Sequence, residues 1–300
     1  VREFAIIMTV DEPNRKRGSD MANIKIVTDS SVQLTPEEIS KYHITVVPLT
    51  IMIDNTVYID GETITREDFM DEMAAAHNLP KTSQPAIGTF TDVFDKLTAD
   101  GSQVLAIHMT ETLSGTVNSA RQAAQLAKGK VTVVDSLSTD RGLAFQVLAA
   151  AEMAEAGKDL QTILDKIKQI RDNTTLVLGV TSLDNLVKGG RISRVSGLIS
   201  SFLNIKVVLQ LKDGELSALR KGRGMKTINN FITETISQMA KMPNIKSVGI
   251  STAGATELGE DVGKRIAEVL PSVPVLVRPT DPVIATHTGP GALAIIYYVD

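Results

Sequence analysis

Hydroxyl side chains stand immediately before two predicted helices. Thr82 and Ser83 precede one helical pattern, and Ser114, Gly115 and Thr116 lie between a predicted strand and the next helix. Hydroxyls and free backbone N–H groups at a helix N-terminus can hold an anion, although the same residue types also serve as ordinary caps. Two such helix starts at one edge of a sheet favour a site for an anionic group.

His287 is the histidine with the most suggestive neighbours. It lies between Thr286 and Thr288 and is followed by Gly-Pro-Gly, a sequence that predicts a tight turn. Its imidazole can titrate near neutral pH. A lone histidine is often structural, so both interpretations stay open, but this setting favours a functional role.

Two further motifs are candidates. Arg191 and Arg194 follow a Gly-Gly pair, and arginines on flexible glycines suit recognition of a carboxylate, a phosphate or an acidic partner. Asp29 and Ser30 follow the first predicted strand, where ligands bind in open α/β sheets. The ordinary alternatives are a solvated charged loop for the arginines and a turn or cap for Asp29 and Ser30.

The signatures of several enzyme classes are missing from the sequence. There is no GxGxxG after the first strand, and no Walker A, HExxH or GxSxG pattern. The chain has no cysteine, which excludes disulfides, thiol nucleophiles and thiolate metal sites. We therefore predict a binding site without a metal, a cofactor, a catalytic residue or an ATP site of its own.

The composition is that of a globular protein with a methyl-rich interior. The 300 residues are 43% hydrophobic and 22% charged, with seven Phe, four Tyr and no Trp. The net charge of -4 and the scarcity of aromatic rings disfavour nucleic-acid binding. No apolar run reaches the roughly 18 to 20 residues of a membrane span, and no signal peptide is visible. We expect a soluble, cytoplasmic protein.

Short β-branched runs alternate with helical patterns, which predicts an α/β fold with a mainly parallel sheet covered by helices. The predicted strands are 24–28, 104–108, 131–134, 174–180, 206–211, 247–251 and 273–278. The predicted helices are 66–77, 87–99, 115–127, 142–156, 160–172, 225–241 and 256–269.

The length favours two domains. We predict an N-terminal α/β domain at 22–175, with a small β insertion at about 44–64, and a mixed α/β domain at 176–300. Residues 1–20 have no periodicity and precede Met21, so we expect a non-native or disordered extension there. An extra strand at 4–10 is the alternative.

Seven short motifs in this order resemble the DegV family of bacterial fatty-acid-binding proteins, from Ile24 to the end of the chain. They are TDSS at Thr28, KTSQP at Lys81, LSGT at Leu113, VVDS at Val133, VKGGRI at Val187, GRGMKTI at Gly222 and THTGPGA at Thr286. The resemblance implies a two-domain α/β protein with an acyl chain buried in a tunnel.

The resemblance also implies roles for the candidate residues. Thr82, Ser114 and His287 would hold the fatty-acid carboxyl group. The carboxyl-binding group as a whole would comprise Thr82, Ser83, Ser114, Gly115, Thr116, His287 and Thr288, with Asp29 and Ser30 at the pocket edge. Arg191 and Arg194 would lie at the mouth of the site or on the partner-facing surface.

Members of the family are carriers rather than enzymes, so the resemblance implies protein partners. A soluble fatty-acid kinase would phosphorylate the bound carboxyl group, and the acyl phosphate would feed phospholipid synthesis. Acyltransferase machinery at the membrane surface is a further candidate partner. The only ligand implied is the fatty acid itself.

The chain departs from the family pattern at Ala86, Val117-Asn118 and Val207, and after VVDS, where it has the charged pair Asp140-Arg141. We expect that pair to bond to each other or to point to solvent, with an effect on the pocket as the alternative. Acyl-chain preference is what these departures leave open.

Two other functions remain. A dihydroxyacetone-kinase-like enzyme, or a small-polar-ligand binding protein, would use His287 on a small keto-sugar. A regulatory protein would hold lipid only as a signal or as filler.

Overall fold

The computed structural model describes residues 23–197 and 205–300. The expected extension at 1–20 lies outside the described residues. The strands are β1 (Ile24–Asp29), β2 (Thr45–Val47), β3 (Thr50–Ile53), β4 (Thr56–Ile59), β5 (Lys81–Ser83), β6 (Gln103–His108), β7 (Val131–Asp135), β8 (Thr174–Val180), β9 (Val195–Ser196), β10 (Ile205–Lys212), β11 (Glu215–Arg223), β12 (Ile245–Ala253), β13 (Val275–Pro279) and β14 (Ala292–Val299).

The helices alternate with these strands along much of the chain. They are α1 (Pro36–Lys41), α2 (Arg66–Ala75), α3 (Ile87–Thr98), α4 (Thr116–Leu126), α5 (Asp140–Glu155), α6 (Leu160–Asp172), α7 (Asp184–Lys188), α8 (Lys226–Met239), α9 (Thr256–Val269) and α10 (Pro282–Thr288), with a 3-10 helix at Arg191–Arg194. Every predicted strand and helix overlaps an observed element of the same type. The predicted α/β class is confirmed.

The N-terminal sheet is parallel, in the order β2-β1-β6-β7. Phe90 and Phe94 on α3 are fully buried with Val27, Ala106 and Ala120 on one side of it. The other side is covered by α5. Because both faces are buried, β1, β6 and β7 are largely continuous apolar runs, which is why the sequence pattern predicted these three strands correctly.

The C-terminal sheet has seven strands in the order β13-β12-β14-β8-β10-β11-β9. The strand pairs β12–β13 and β11–β9 are parallel and the others antiparallel, as the mixed class implies. The sequence analysis missed β11, β14 and the two-residue strand β9. The missed β11 carries charged residues on a half-exposed surface, whereas β14 is central, apolar on both faces and without alternation.

Helix α5 lies between the two sheets and contacts β1 and β6 on one side and β8, β12 and β14 on the other. One hydrophobic cluster therefore includes residues of both sheets, with Leu143, Val147 and Ala150 of α5 inside it. The predicted boundary between 175 and 176 falls within β8, and the division into two domains stays a prediction.

The position of α5 overturns the expectation for Asp140 and Arg141, which are only 3% and 7% exposed. The two side chains do not pair. Arg141 donates from Nη1 and Nη2 to the Glu38 carboxylate at 2.8 and 2.7 Å, whereas Asp140 accepts from Thr280. Charged residues at the first turn of a helix are normally solvated, but here two sheets close over that turn.

A third, small antiparallel sheet has the order β4-β3-β5. Its hairpin turns at Asp54, where φ is 51°, and lies within the predicted β insertion. The segment also contains β2, which belongs to the parallel sheet instead. The sheet extends by pairing β5 with β3, so that Thr82 lies opposite Ile51.

Candidate ligand-binding cavity

A cavity of about 340 Å³ lies between the C-terminal sheet and the N-terminal part of the chain. Its floor is formed by five neighbouring strands, β12, β14, β8, β10 and β11. Four steps of about 4.8 Å between strands give the floor a width of about 19 Å. The floor residues are almost all aliphatic: Leu176, Leu178, Leu209, Leu211, Leu216, Ser251, Ala253, Ala292, Leu293 and Ala294.

The opposite wall brings together segments that are distant in sequence. Leu49, Met109 and Leu113 supply apolar surface. One polar group on this wall consists of Thr82, Ser83, Gln84, Ser114, Arg191, His287 and Thr288. The cavity is thus an aliphatic space with a local cluster of hydroxyl, amide, imidazole and guanidinium groups.

His287 lies in the last turn of α10, so the prediction of a tight turn at this residue is wrong. Asp281 caps the helix by accepting from the N–H groups of Val283 and Ile284 at 2.7 and 3.1 Å. Pro282 occupies the first turn, and the helix ends at Gly289, where φ is 77°. These are ordinary start and stop signals, and the Gly-Pro-Gly sequence marks the end of the helix.

Thr82 lies on β5, five residues before α3 begins at Ile87. It is therefore not at the helix start where the sequence analysis placed it. Its Oγ1 lies 3.0 Å from Nε2 of His287. Burial, with a further contribution from the positive charge of Arg191, lowers the pKa of His287 from 6.5 to about 4. The imidazole is therefore neutral at neutral pH, when it can share one hydrogen bond with the Thr82 hydroxyl.

The other ring nitrogen of His287, Nδ1, is buried and has no hydrogen-bond partner among the described residues. It faces Gly189, where an added Cβ would lie 2.3 Å away. Glycine is needed at position 189 because the ring occupies the space of a side chain there. The VKGGRI motif thus helps to position the histidine.

Ser114 lies in the loop between β6 and α4 and lines the cavity. Its Oγ lies 2.8 Å from Oγ1 of Thr116, whose N–H also points at it from 3.3 Å. Gly115 packs against Gln84, and a Cβ there would lie 2.1 Å from the Gln84 Oε1. Neither Gly115 nor Thr116 lines the cavity; the structure places both behind Ser114.

Arg191 links the Ser114 loop to the backbone at Gly189, which packs against the His287 ring. Its Nε donates to the Leu113 carbonyl at 3.2 Å and its Nη1 to the Gly189 carbonyl at 2.9 Å. Burial and the neighbouring Arg194 lower the pKa of the Arg191 guanidinium. Arg191 lines the cavity, whereas Arg194 is exposed outside it.

Asp29 and Ser30 lie away from the cavity. Asp29 is fully buried and accepts from the Met109 N–H at 2.9 Å, with His108 Nδ1 at 3.0 Å. Ser30 accepts from the Leu49 N–H at 3.1 Å. Their hydrogen bonds hold the segments that carry two cavity-lining residues, Met109 and Leu49, so the pair has a structural role.

The sequence analysis missed a second polar group on the cavity wall, formed by Thr139, Asp140, Ser251 and Thr280. Burial raises the pKa of Asp140 from 3.8 to about 6, against the opposing effects of Arg66, Thr280 and Ser251. The one signal for this group was the departure from the family pattern after VVDS. Ser251 and Thr280 could not be identified because only the sheet brings them to the helix.

No helix in residues 23–197 and 205–300 is long and apolar enough to cross a membrane. Within the same ranges, no cluster of three or more His, Asp or Glu side chains could hold a metal ion.

Sequence comparisons relate the chain to one family. The model of the DegV family matches residues 23–300. A DegV domain-containing protein of Streptococcus pneumoniae is 47% identical over 276 residues, covering 92% of this chain and 98% of the relative. The DegV domain-containing protein YejH of Lactococcus lactis is 46% identical over 274 residues, covering 91% and 98%.

Solved structures have the same fold. DegV of Bacillus subtilis, described as a fatty acid binding protein, has a TM-score of 0.87 at 26% identity and covers 93% of this chain and 100% of its own. A DegV family protein from Thermus thermophilus, described by its fatty acid binding, has a TM-score of 0.82 at 30% identity, with the same coverage.

A stearic acid-binding protein from Eubacterium ventriosum has a TM-score of 0.81 at 27% identity and covers 92% of this chain and 98% of its own. The match to the family model and the curated relatives extends over nearly the whole described chain. The protein belongs to the DegV family.

Proposed function

We propose that this protein binds a long-chain fatty acid, with the acyl chain in the aliphatic cavity and the carboxyl group at Thr82, Ser114 and His287. The observation that carries the proposal is the Thr82–His287 pair on the wall of a cavity whose floor is largely aliphatic. The solved relatives described as fatty acid binding proteins support it.

The cavity suits an acyl chain energetically. Each buried methylene contributes about 0.8 kcal/mol, so twelve give on the order of 10 kcal/mol before the costs of ordering and association. A floor about 19 Å wide accommodates a long, narrow molecule rather than a compact one. This shape argues against a small keto-sugar, the ligand that the dihydroxyacetone-kinase-like alternative requires.

The head-group residues bind a carboxyl group without neutralising it. The hydroxyls of Thr82 and Ser114 can donate to the carboxyl group, and Nε2 of the neutral His287 orients the Thr82 hydroxyl. Arg191 already donates to two backbone carbonyls. A full ion pair would stabilise the carboxylate and reduce its reactivity. A carboxyl group held by neutral donors stays available for phosphorylation.

We therefore propose a carrier without catalytic residues or a resident cofactor, which presents the carboxyl group to a soluble fatty-acid kinase in the cytoplasm. The acyl phosphate would feed phospholipid synthesis through acyltransferases at the membrane surface. Arg194 is exposed next to the cavity-lining Arg191, which suits contact with an acidic surface of the kinase.

Lipid analysis of the purified protein tests the binding proposal. We expect native mass spectrometry to detect a bound long-chain fatty acid that denaturation and extraction release. The variant Thr82→Val should retain much less of it, while His77→Gln, which changes an exposed histidine, should retain the normal amount. Protein without lipid, or with a bound triose, would contradict the proposal.

The kinase role needs a separate assay. A fatty-acid kinase supplied with ATP should convert the bound fatty acid to acyl phosphate, and Arg194→Ala should lower the rate without releasing the lipid. Loaded protein that no such kinase can phosphorylate would contradict the carrier role and leave the regulatory function as the better explanation.

A further inference from the structure

The second polar group, Thr139, Asp140, Ser251 and Thr280, has no part in holding a carboxyl group at Thr82 and His287. All four residues line the cavity, and they are 5%, 3%, 3% and 5% exposed. A plain hydrocarbon chain offers these groups no hydrogen bond, and burying polar atoms against hydrocarbon is unfavourable. A polar group on the ligand, able to form hydrogen bonds with these residues, would explain their presence in an acyl cavity.

The Asp140 carboxylate has acceptor capacity to spare. Its two oxygens lie 3.0 and 2.8 Å from Oγ1 of Thr280, which carries a single proton. The hydroxyl of Ser251, which accepts from Gln33 Nε2 at 2.9 Å, is near enough to favour the charged form of Asp140. A carboxylate can accept about four hydrogen bonds, so acceptor sites remain.

Thr139 supplies the complementary observation. Its Oγ1 is buried without a hydrogen-bond partner among the described residues. The side chain precedes α5 but makes no capping hydrogen bond to it. Thr139 lines the cavity together with Asp140, the next residue in the chain, so its unpartnered hydroxyl can donate to a group that binds there.

A hydroxyl group matches this pair because it donates one hydrogen bond and accepts another. A carboxylate would be repelled by Asp140, an ammonium group could not accept from Thr139, and a methylene group could do neither. Burial raises the pKa of Asp140 to about 6, so the residue is largely an acceptor at neutral pH.

We propose that Thr139 and Asp140 form a second polar subsite that binds a hydroxyl group on the acyl chain, so that the protein prefers hydroxylated fatty acids. The inference rests on the proposed fatty-acid binding, which it refines by adding a ligand class. Thr280 and Ser251 act as positioning residues that orient the Asp140 carboxylate.

Binding measured by titration calorimetry after delipidation tests the subsite. The probes are octadecanoic acid and its monohydroxylated derivatives with the hydroxyl near the carboxyl group, at mid-chain or near the methyl end. We expect at least one derivative to bind about tenfold more tightly than the plain acid, the gain from one well-placed hydrogen bond. The preferred isomer identifies where along the chain the subsite acts.

Two variants assign the preference to these residues. Thr139→Val keeps the β-branched shape and removes the unpartnered hydroxyl, and Asp140→Asn keeps the size and removes the charge. The preference is the dissociation constant of octadecanoic acid divided by that of the preferred hydroxylated derivative. In Thr139→Val this ratio should fall to within about twofold of unity. In Asp140→Asn it should decrease. Thr91→Val, whose hydroxyl donates to the Ile87 carbonyl on α3, should keep the ratio of the unmodified protein.

The possible outcomes distinguish failure of the hydroxyl subsite from failure of the proposed fatty-acid binding. If no hydroxylated isomer binds more tightly than the plain acid, the subsite is wrong and fatty-acid binding stands. If Thr139→Val keeps the full preference, the hydroxyl is recognised elsewhere and the assignment is wrong. If no fatty acid binds at all, the proposed function fails together with the inference.

Discussion

The hydroxyl oxygen of Thr82 lies 3.0 Å from Nε2 of His287, across 205 positions of sequence. Thr82 is held there by the pairing of β5 with β3, and His287 by the capped helix α10. The pair lies on the wall of an aliphatic cavity and gives it a polar anchor. Its geometry makes the two side chains a unit that can be tested as one.

A double-mutant cycle on this pair should show strong coupling. Thr82→Val and His287→Gln should each weaken fatty-acid binding about ten- to a hundredfold, because the first removes a hydroxyl donor to the buried carboxyl group and the second removes the imidazole that orients this donor. The double variant should lose little more than the worse single variant. Calorimetric titration with one fatty acid provides the four dissociation constants.

The exposed His77→Gln is the matched control for the histidine substitution. It should leave the dissociation constant unchanged. Strictly additive losses in the cycle would mean that Thr82 and His287 act on the ligand independently.

Gly189→Ala should displace the His287 ring. A Cβ at this position would lie 2.3 Å from Nδ1 of His287 and 2.9 Å from the Asn185 carbonyl oxygen, so the ring and the local backbone must shift. We expect binding to weaken about tenfold and stability to fall by about 1 to 3 kcal/mol, the usual cost of overpacking. Binding titration and denaturant unfolding measure the two effects.

Gly88→Ala provides a glycine control, since a Cβ at this position of α3 meets nothing within 4 Å. Alanine is the better helix former, so this variant should be as stable as the unmodified protein or slightly more so. Equal binding by Gly189→Ala and Gly88→Ala would contradict the role assigned to Gly189.

Ala294→Leu should shorten the preferred acyl chain. Ala294 lies on the cavity floor between Ser251 and Leu178 on the adjacent strands, and the added atoms would occupy space that the ligand needs. Competition among saturated fatty acids of increasing length should show a preference moved toward shorter chains. Ala240→Leu, an exposed change at the end of α8, should not alter it.

An unchanged chain-length profile in Ala294→Leu would place the acyl chain elsewhere. Complete loss of binding for all lengths would be consistent with a blocked cavity but would not support a graded length limit. A shift by a few carbons is the result that supports the cavity as the acyl site.

The buried carboxyl of Asp140 should affect how stability depends on pH. Its pKa rises from 3.8 to about 6 in the folded protein because of burial. Between these values the folded state binds more protons than the unfolded state, so this group makes the free energy of unfolding fall as pH rises. A shift of about 2 pKa units corresponds to up to about 3 kcal/mol.

Asp140→Asn removes this contribution. The free energy of unfolding of the variant minus that of the unmodified protein should increase by up to about 3 kcal/mol from pH 4 to pH 7. His287, with its pKa lowered to about 4, has the opposite pH dependence, but its effect cancels in the difference. Urea unfolding across this range measures the difference, and a flat result would contradict the shifted pKa.

The sequence by itself determined most of the secondary structure and the identity of the head-group candidates. Long apolar runs and amphipathic periodicity specify strands and helices in most tertiary environments. The main strands of the parallel sheet and the long helices were therefore predicted correctly. Thr82, Ser114 and His287 were identified because their motifs occur in the order of the family. Central β14 was missed because its continuous apolar run begins with alanine and leucine, which favour helices, and periodicity alone does not distinguish such a run from a buried helix.

Only the tertiary structure decided how those residues act. Thr82 meets His287 through a strand pairing, and Gly189 and Gly115 matter because of the side chains that fill the space beside them. From the sequence we expected Asp140 to pair with Arg141 or to point to solvent. The two sheets that enclose α5 instead bury Asp140 on the cavity wall. Local patterns encode local conformation, whereas burial, pKa and the composition of a cavity wall depend on contacts between segments that are far apart in the chain.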